Sequence, residues 1–166
     1  ATAEPALLFT GGDEHKVTGP SPEDVDELFT RREIDYVIVE ADGSHGRPLK
    51  APASYEPVIP ATSTLVVILM GIDAVGGRLQ DVAHRLAEAQ HLSGLSADHE
   101  MGPEDCATIV LHPDGLLRSC PRSARIAIAI TKVITPEEAA DASRIAAIVG
   151  ERRPDIPTVI LGTETA

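Results

Sequence analysis

Residues 125–150 read RIAIAITKVITPEEAADASRIAAIVG, a stretch that predicts a strand followed directly by a helix. The run 125–131 is almost continuously apolar, as in a strand of a parallel sheet that is covered on both faces. Thr135-Pro136-Glu137-Glu138 then has the pattern of a capping box, with proline in the first helical turn. Apolar residues recur at helical spacing after it and predict one buried face: Ala139, Ala142, Ile145, Ala146 and Val149. A strand–helix unit of this kind indicates an α/β fold.

The same alternation of elements extends outward from this stretch. Helices are predicted after the cap Ser21-Pro22-Glu23-Asp24, over the amphipathic stretch 81–92 and over the shorter stretch 103–112. Further apolar runs predict strands over 6–10, 36–41, 64–71 and 158–162. Short connections between strands and helices predict a three-layer α/β/α arrangement with a mostly parallel sheet. No internal repeat interrupts the pattern, so a single domain over 1–166 is expected.

Composition narrows the classes of function. The chain has 166 residues and a formal net charge of −12, which disfavours binding to nucleic acid or to anionic lipid. Two Phe, two Tyr and no Trp leave no aromatic platform for stacking bases. The apolar runs are shorter than the ~20 residues that a bilayer span needs, and no signal peptide is evident. We therefore expect a cytoplasmic protein without nucleic-acid or membrane partners.

Two carboxylates stand at the end of the predicted strand 36–41. Glu40 and Asp42 lie two residues apart in VIVEADG, so alternation along a strand would place both on one side. Mg²⁺ commonly takes one or two carboxylates together with water and phosphate oxygens. Glu40 and Asp42 are therefore candidate metal ligands and catalytic residues. The alternative is a solvated strand end with a turn at Gly43.

The loop that follows carries two cations in an acidic chain. Arg47 and Lys50 lie in SHGRPLKAP, between glycine and proline residues that favour turns. A guanidinium and an ammonium can both bind phosphate oxygens, so we expect these side chains to be partly exposed and to face the same cleft as Glu40. The alternative is that they pair with Glu40, Asp42 or Glu56 and bind nothing.

Thr131 and Lys132 end the apolar run at 125–131. In many nucleotide-binding sheets a lysine at this place, in the pattern Asn-Lys-x-Asp, lays its stem along the purine ring. Thr131 replaces the Asn here and Ile134 replaces the Asp, so the carboxylate that would select guanine is lacking. The alternative is a strand-ending lysine in solvent. The spacing of the histidines matches no metal-site motif.

Several longer stretches resemble the YqeC family. They are DYVIVEADGSHGRPLKAPASYEPVIP, TLVVILMGIDAVGGRL, VAHR, HPDGLL and ITKV. Members of that family are proposed accessory proteins for selenium-dependent molybdenum hydroxylases and are similar to P-loop nucleotide hydrolases. The resemblance implies a Walker-B-like strand end, a basic loop and a base position, with Mg²⁺ and a purine nucleoside triphosphate as cofactors. The residues concerned are Glu40 and Asp42, then Arg47 and Lys50, then Thr131 and Lys132. A molybdenum hydroxylase or its cofactor precursor is the implied partner.

The sequence differs from that family at the phosphate loop. The sequence has no GxxxxGK[ST], and the stretch 11–16, GGDEHK, has another spacing and an acid where backbone amides should receive phosphate. We therefore expect a P-loop-type domain that lacks the first βα unit and has no nucleotide hydrolysis as this chain alone. Nucleotide binding or hydrolysis in the complete protein is the first hypothesis. A non-catalytic binding module that grips a partner enzyme or cofactor precursor is the alternative.

Overall fold

A computed structural model describes residues 5–12 and 17–162, which divide into two compact units. Unit 1 comprises 5–12, 17–39 and 60–62, and unit 2 comprises 40–59 and 63–162. Residues 13–16 of the GGDEHK stretch lie outside the described residues. The prediction of a single P-loop-type domain stays a prediction.

Unit 1 contains a short antiparallel pair, β1 (Gly11–Gly12) with β2 (Val17–Thr18), and one helix, α1 (Pro22–Phe29). The helix starts as predicted: Ser21 Oγ accepts from the Asp24 amide at 3.1 Å, and the Asp24 carboxylate accepts from the Ser21 amide at 3.1 Å.

Two strand predictions in the first part of the chain are wrong. Residues 6–10 and 36–41 form no strand, although both are apolar. Leu7 is 88% exposed, and Tyr36 and Ile38 are 87% and 96% exposed. A strand needs a neighbour to receive its ladder hydrogen bonds, and within the described residues no strand pairs with either segment. The alternation of side chains along a strand, which was expected to place Glu40 and Asp42 on one side, is therefore absent.

Unit 2 has the strands and helices of an α/β fold. In chain order they are β3 (Leu49–Lys50), β4 (Leu65–Gly71), a 3₁₀ turn (Ile72–Ala74), α2 (Leu79–Val82), β5 (Ala83–His84), α3 (Leu86–Ser93), α4 (Pro103–Leu111), β6 (Arg125–Val133), α5 (Pro136–Arg152) and β7 (Thr158–Gly162). The predicted strands 64–71, 125–131 and 158–162 and the helix 103–112 are confirmed. The capping box at Thr135 is confirmed as well, since Thr135 Oγ1 accepts from the Glu138 amide at 3.2 Å.

The main sheet has the order β4-β6-β7, and all of its pairs are parallel. The α/β class with parallel sheets and several helices is confirmed, and it is consistent with a three-layer α/β/α fold. Alternate side chains of β4 and β6 enter the core beside α5: Ile68, Met70, Ile128 and Ile130 are at most 4% exposed. Parallel register brings Gly71 of β4 opposite Thr131 of β6, so the carboxyl ends of the two strands meet.

The opposite face of this sheet is apolar and exposed. Leu65, Val67 and Leu69 of β4 are 46%, 46% and 63% exposed, and Val159 of β7 is 49% exposed. No helix within the described ranges is both long enough and apolar enough to cross a bilayer.

The helix predicted over 81–92 is interrupted. Residues Ala83–His84 form β5 and pair in parallel with β3, so that Lys50 lies opposite His84. Arg85 follows with φ of 65°, a left-handed conformation, and α3 begins only after it. The apolar spacing of 81–92 fits a helix. Ala83–His84 pair with β3 instead, and the backbone at Arg85 leaves the helical conformation.

Candidate functional site

The Lys50 ammonium is enclosed by acceptors. Its Nζ lies 2.5 Å from Asp42 Oδ1, 2.9 Å from the Gly43 carbonyl oxygen and 3.2 Å from Glu56 Oε2. Lys50 is 5% exposed overall, so the expectation that it faces a cleft is wrong. Its place in β3, beside β5, directs the side chain inward to the two carboxylates. The alternative of pairing with Asp42 and Glu56 is confirmed for Lys50.

Glu56 joins this pair to a second cation. Arg85 donates to Glu56 Oε2 from Nε at 2.8 Å and to Oε1 from Nη2 at 2.6 Å, in a two-pronged contact. The Ala53 amide also donates to Glu56 Oε2, at 3.1 Å. Burial raises the pKa of Glu56, but hydrogen bonds from Arg85, Ala53 and Lys50 outweigh it and lower the pKa to about 2. Glu56 is therefore ionised at neutral pH, and the four charges form one network, the Lys50 network: Asp42, Lys50, Glu56 and Arg85.

One carboxylate oxygen of Asp42 has no hydrogen-bond partner among the described residues. Its side chain is 8% exposed, and while Oδ1 accepts from Lys50, Oδ2 is buried without a hydrogen-bond partner among the described residues. Burial raises the pKa of Asp42, and Lys50 opposes that shift. A buried carboxylate oxygen without a partner lowers the stability of the fold, and it could accept a hydrogen bond or bind a cation.

Glu40, by contrast, is exposed. A Cβ at Gly43 would lie 3.3 Å from Glu40 Oε1, so the Glu40 carboxylate lies close to the backbone at Gly43. The structure thus separates the two predicted carboxylates into one exposed and one buried group. Within the described ranges no set of three or more His, Cys, Asp or Glu side chains is arranged to hold a metal ion.

Arg47, Thr131 and Lys132 line one cavity of about 210 Å³, together with Ser44, Gly46, Pro48, Leu69, Met70 and Gly71. This strand-end cavity lies where β4 and β6 finish, the place at which open parallel sheets bind ligands. Arg47 is exposed, as predicted, and its Nη1 donates to the Gln80 carbonyl at 3.2 Å. Glu40, which was expected to face the same cleft, does not line this cavity. The structure thus brings three of the four predicted cofactor-binding residues together and places the fourth, Lys50, in the Lys50 network.

Close packing holds the loop 44–48 against the strand end. The Gly71 amide donates to the Pro48 carbonyl at 2.8 Å, and a Cβ at Gly71 would lie 2.9 Å from the Pro48 Cβ. Only glycine permits that approach. Lys132 has φ of 64°, and its Nζ lies 2.7 Å from Asp73 Oδ2, a pair in which both side chains are about half exposed.

A second, larger cavity of about 660 Å³ was not predicted from the sequence. Tyr55, Arg85 and Arg118 contribute to its wall. Arg85 lies within VAHR, one of the stretches that carry the family resemblance, which is the signal that could have drawn attention to it. Arg118 lies in a turn region after α4, and no motif distinguishes it.

Two histidines flank the Lys50 network. The rings of His45 and His84 stack, with centroids 5.8 Å apart and planes inclined by 29°. Burial lowers the pKa of His84, and the positive charges of Lys50 and Arg85 lower it further. Both effects favour the neutral form of His84.

Comparison with known proteins places the chain in a family. A family model described as "YqeC protein" matches residues 2–87. The Escherichia coli (strain K12) protein named "Uncharacterized protein YqeC" is 38% identical over 111 residues, which cover 66% of this chain and 43% of that protein. The chain thus spans less than half the length of this curated relative. No solved structure matches. The family model covers more than half of the chain, including both carboxylates and the basic loop, and the chain belongs to the YqeC family.

Proposed function

We propose that the complete protein is an accessory protein for maturation of a selenium-dependent molybdenum hydroxylase, and that it acts through nucleotide binding or hydrolysis. The observation that carries the proposal is the convergence of Arg47, Thr131 and Lys132 on the strand-end cavity. The link to a molybdenum hydroxylase rests on the resemblance to the family alone.

The chemistry of the strand-end cavity suits a phosphate group. Arg47 would hold phosphate oxygens through a planar guanidinium, and Lys132 would add a point charge. The hydroxyl of Ser44 is a further donor, whereas the single hydroxyl proton of Thr131 is donated to the Met70 carbonyl at 3.2 Å. A volume of about 210 Å³ is below that of pockets that enclose a whole small molecule, so this cavity would hold part of a nucleotide.

The fit to Mg²⁺ rests on Asp42. Its Oδ2 is a buried carboxylate oxygen without a partner among the described residues, which suits one ligand position of a hard cation. Glu40 is exposed and oriented differently from Asp42, so its side chain would have to turn towards Asp42 to supply a second oxygen. A site of one or two carboxylates is the kind that Mg²⁺ completes with phosphate and water. When bound, Mg²⁺ would neutralise charge on the phosphates. Asp42 and Glu40 would hold it, and Lys50 would fix the orientation of Asp42.

The Lys50 network favours a second candidate, a non-catalytic binding module. Lys50 and Arg85 are engaged by Asp42 and Glu56, so these charges hold the loop 42–56 in one shape and are not available to substrate phosphates. A rigid loop of this kind, on an acidic protein, would recognise a partner enzyme or a cofactor precursor by complementary shape and charge.

A titration of the complete protein with Mg·ATP and Mg·GTP separates the two candidates. Under the first proposal both nucleotides bind, and Arg47→Gln and Lys132→Gln each weaken binding by about tenfold, since each removes a charge-assisted contact of roughly 1.5 kcal/mol. Arg122→Gln is the matched control, an exposed arginine outside the strand-end cavity. Absence of binding, or equal affinity in all three variants, would reject the nucleotide role of this cavity and favour the binding module.

A further inference from the structure

The larger cavity has the dimensions of a small-molecule site. Its volume of about 660 Å³ falls within the ~300–1,000 Å³ that is typical of ligand pockets. Its floor is apolar and buried: Ala53 is 6% exposed and Leu92 is 8% exposed, and Pro52 lies beside them. Its polar residues are Ser54, Tyr55, Arg85, Glu88, His91, Asp114 and Arg118. We refer to this cavity as the arginine cavity.

Arg118 is held in an unusual way. Its Nη2 donates to the carbonyl oxygens of Ala53 at 2.5 Å and of Glu56 at 2.7 Å, both more than sixty positions away in sequence. No carboxylate of the described residues pairs with it, and its Nε and Nη1 have no protein acceptor there. In a chain of net charge −12, an arginine fixed by backbone and left without an acid is ready to bind an anion.

Arg85 is fixed on the same loop. Its Nε and Nη2 bind Glu56, Nη2 also donates to Tyr55 Oη at 3.2 Å, and the guanidinium carbon lies 5.6 Å from the centre of the Tyr55 ring. Both guanidiniums are therefore positioned by residues 53–56 before any ligand arrives, which lowers the entropy cost of binding.

The remaining charges of the arginine cavity are acidic. Glu88 on α3 and Asp114 after α4 also line it. An anion alone would meet these carboxylates as well as Arg118, whereas a ligand with an ammonium group in addition to an anion would satisfy both signs. The polar groups of the wall thus select for paired charges on one molecule.

We propose that the arginine cavity binds a small zwitterionic molecule, with a carboxylate or phosphate on Arg118 and an amino group on Glu88 or Asp114. The apolar floor of Ala53 and Leu92 would receive the carbon body between the two charges. This site is separate from the strand-end cavity, since the two share no lining residue.

Calorimetric titration of the 166-residue chain tests the proposal with four probes. O-phosphoethanolamine and β-alanine carry both charges, while inorganic phosphate and ethanolamine carry one each. At least one zwitterion is expected to bind at least tenfold more tightly than either single-charge probe. Equal binding of phosphate alone, or no binding of either zwitterion, overturns the proposal.

Two variants locate the binding. Arg118→Gln is expected to weaken zwitterion binding by at least tenfold. Because Arg118 also holds the loop 53–56, Ala87→Leu provides a variant that loses no contact: Ala87 is an exposed helical residue of the wall, and a larger side chain there narrows the cavity. Ala140→Leu, at an exposed position of α5, is the control. Unchanged affinity in Ala87→Leu, or an equal loss in Ala140→Leu, contradicts the assignment to this cavity.

Discussion

Two cations of the segment 43–50, Arg47 and Lys50, lie in opposite environments. Lys50 is 5% exposed and enclosed by Asp42, Glu56 and the Gly43 carbonyl, whereas Arg47 is exposed at the strand-end cavity. Lys132, also at that cavity, has a side chain that is 52% exposed and one acid partner. Lys50, which is surrounded by carboxylates of the same chain, contributes to the structure. Arg47 and Lys132, which lie at an open strand end, remain available to a ligand.

The largest effect that distinguishes the two regions concerns stability. Lys50→Met leaves Asp42 and Glu56 buried with less compensation, and breaking such a pair commonly costs about 3–5 kcal/mol. Lys132→Met breaks a half-exposed pair, for which about 1 kcal/mol or less is expected. Urea unfolding of both variants measures the difference. Similar losses in the two would abolish the distinction between a structural and an available cation.

Acid should weaken the Lys50 network through Glu56. Its pKa is about 2 in the folded chain against an ordinary 4.5, so the unfolded chain binds more protons between these values. The stability that Glu56 contributes is complete above about pH 4.5 and is lost as the pH falls towards 2. Asp42, whose pKa is raised by burial, works in the opposite direction.

Glu56→Gln isolates this contribution. The variant is expected to be less stable at pH 7, by about 1–3 kcal/mol, since hydrogen bonds to an ionised group are lost. Its urea midpoint should also fall less between pH 7 and pH 3 than that of the unaltered chain. If both proteins lose stability equally over this range, Glu56 is not the group that responds.

The sequence predicted the strand-end cavity better than the Lys50 network, for a physical reason. Thr131 and Lys132 lie near the end of a strongly apolar strand, and parallel register alone brings Thr131 opposite Gly71 at the end of β4. For the Lys50 network the sequence named Asp42 and Glu56 only as an alternative, and it did not indicate the contact of Arg85 with Glu56, 29 positions away, because spacing does not encode such a contact. The break at Arg85 arises from the pairing of β5 with β3, which overrides the apolar pattern of a continuous helix.

The failed strand at 36–41 has a related cause. Its valines and isoleucine have strand propensity, but propensity alone forms no strand without a neighbour to pair with. Glu40 and Asp42 consequently lack the shared orientation expected from alternation, and their separation into exposed and buried groups follows from the ion pair of Asp42 with Lys50.

A smaller effect is expected at Glu40, which is exposed and therefore available to a ligand. In the complete protein, Glu40→Gln is expected to weaken Mg²⁺-dependent nucleotide binding by about tenfold, equivalent to about 1.4 kcal/mol. The melting temperature should barely change, because substitutions at exposed sites usually alter stability by about 0.5 kcal/mol or less. Titration with and without Mg²⁺ provides the measurement. An equal loss in magnesium-free buffer would show that Glu40 acts without the metal.

The smallest expected effect is the preference between purines. A site that reads guanine does so with an acid that accepts two hydrogen bonds from the base edge, and such a site rejects adenine because its acceptor would go unpaired. Ile134 holds that place here, is 60% exposed and has no acceptor in its side chain. Without that acid only stacking along the Lys132 stem and shape remain, so the complete protein should bind ATP and GTP within about tenfold of each other. One acid does contact Lys132: Asp73 Oδ2 lies 2.7 Å from Lys132 Nζ and is therefore engaged. Titration of both nucleotides in magnesium buffer measures the ratio. A hundredfold preference for GTP that disappears in Asp73→Asn would show that Asp73 leaves Lys132 to read the base, and the strand-end cavity would then be a selective site.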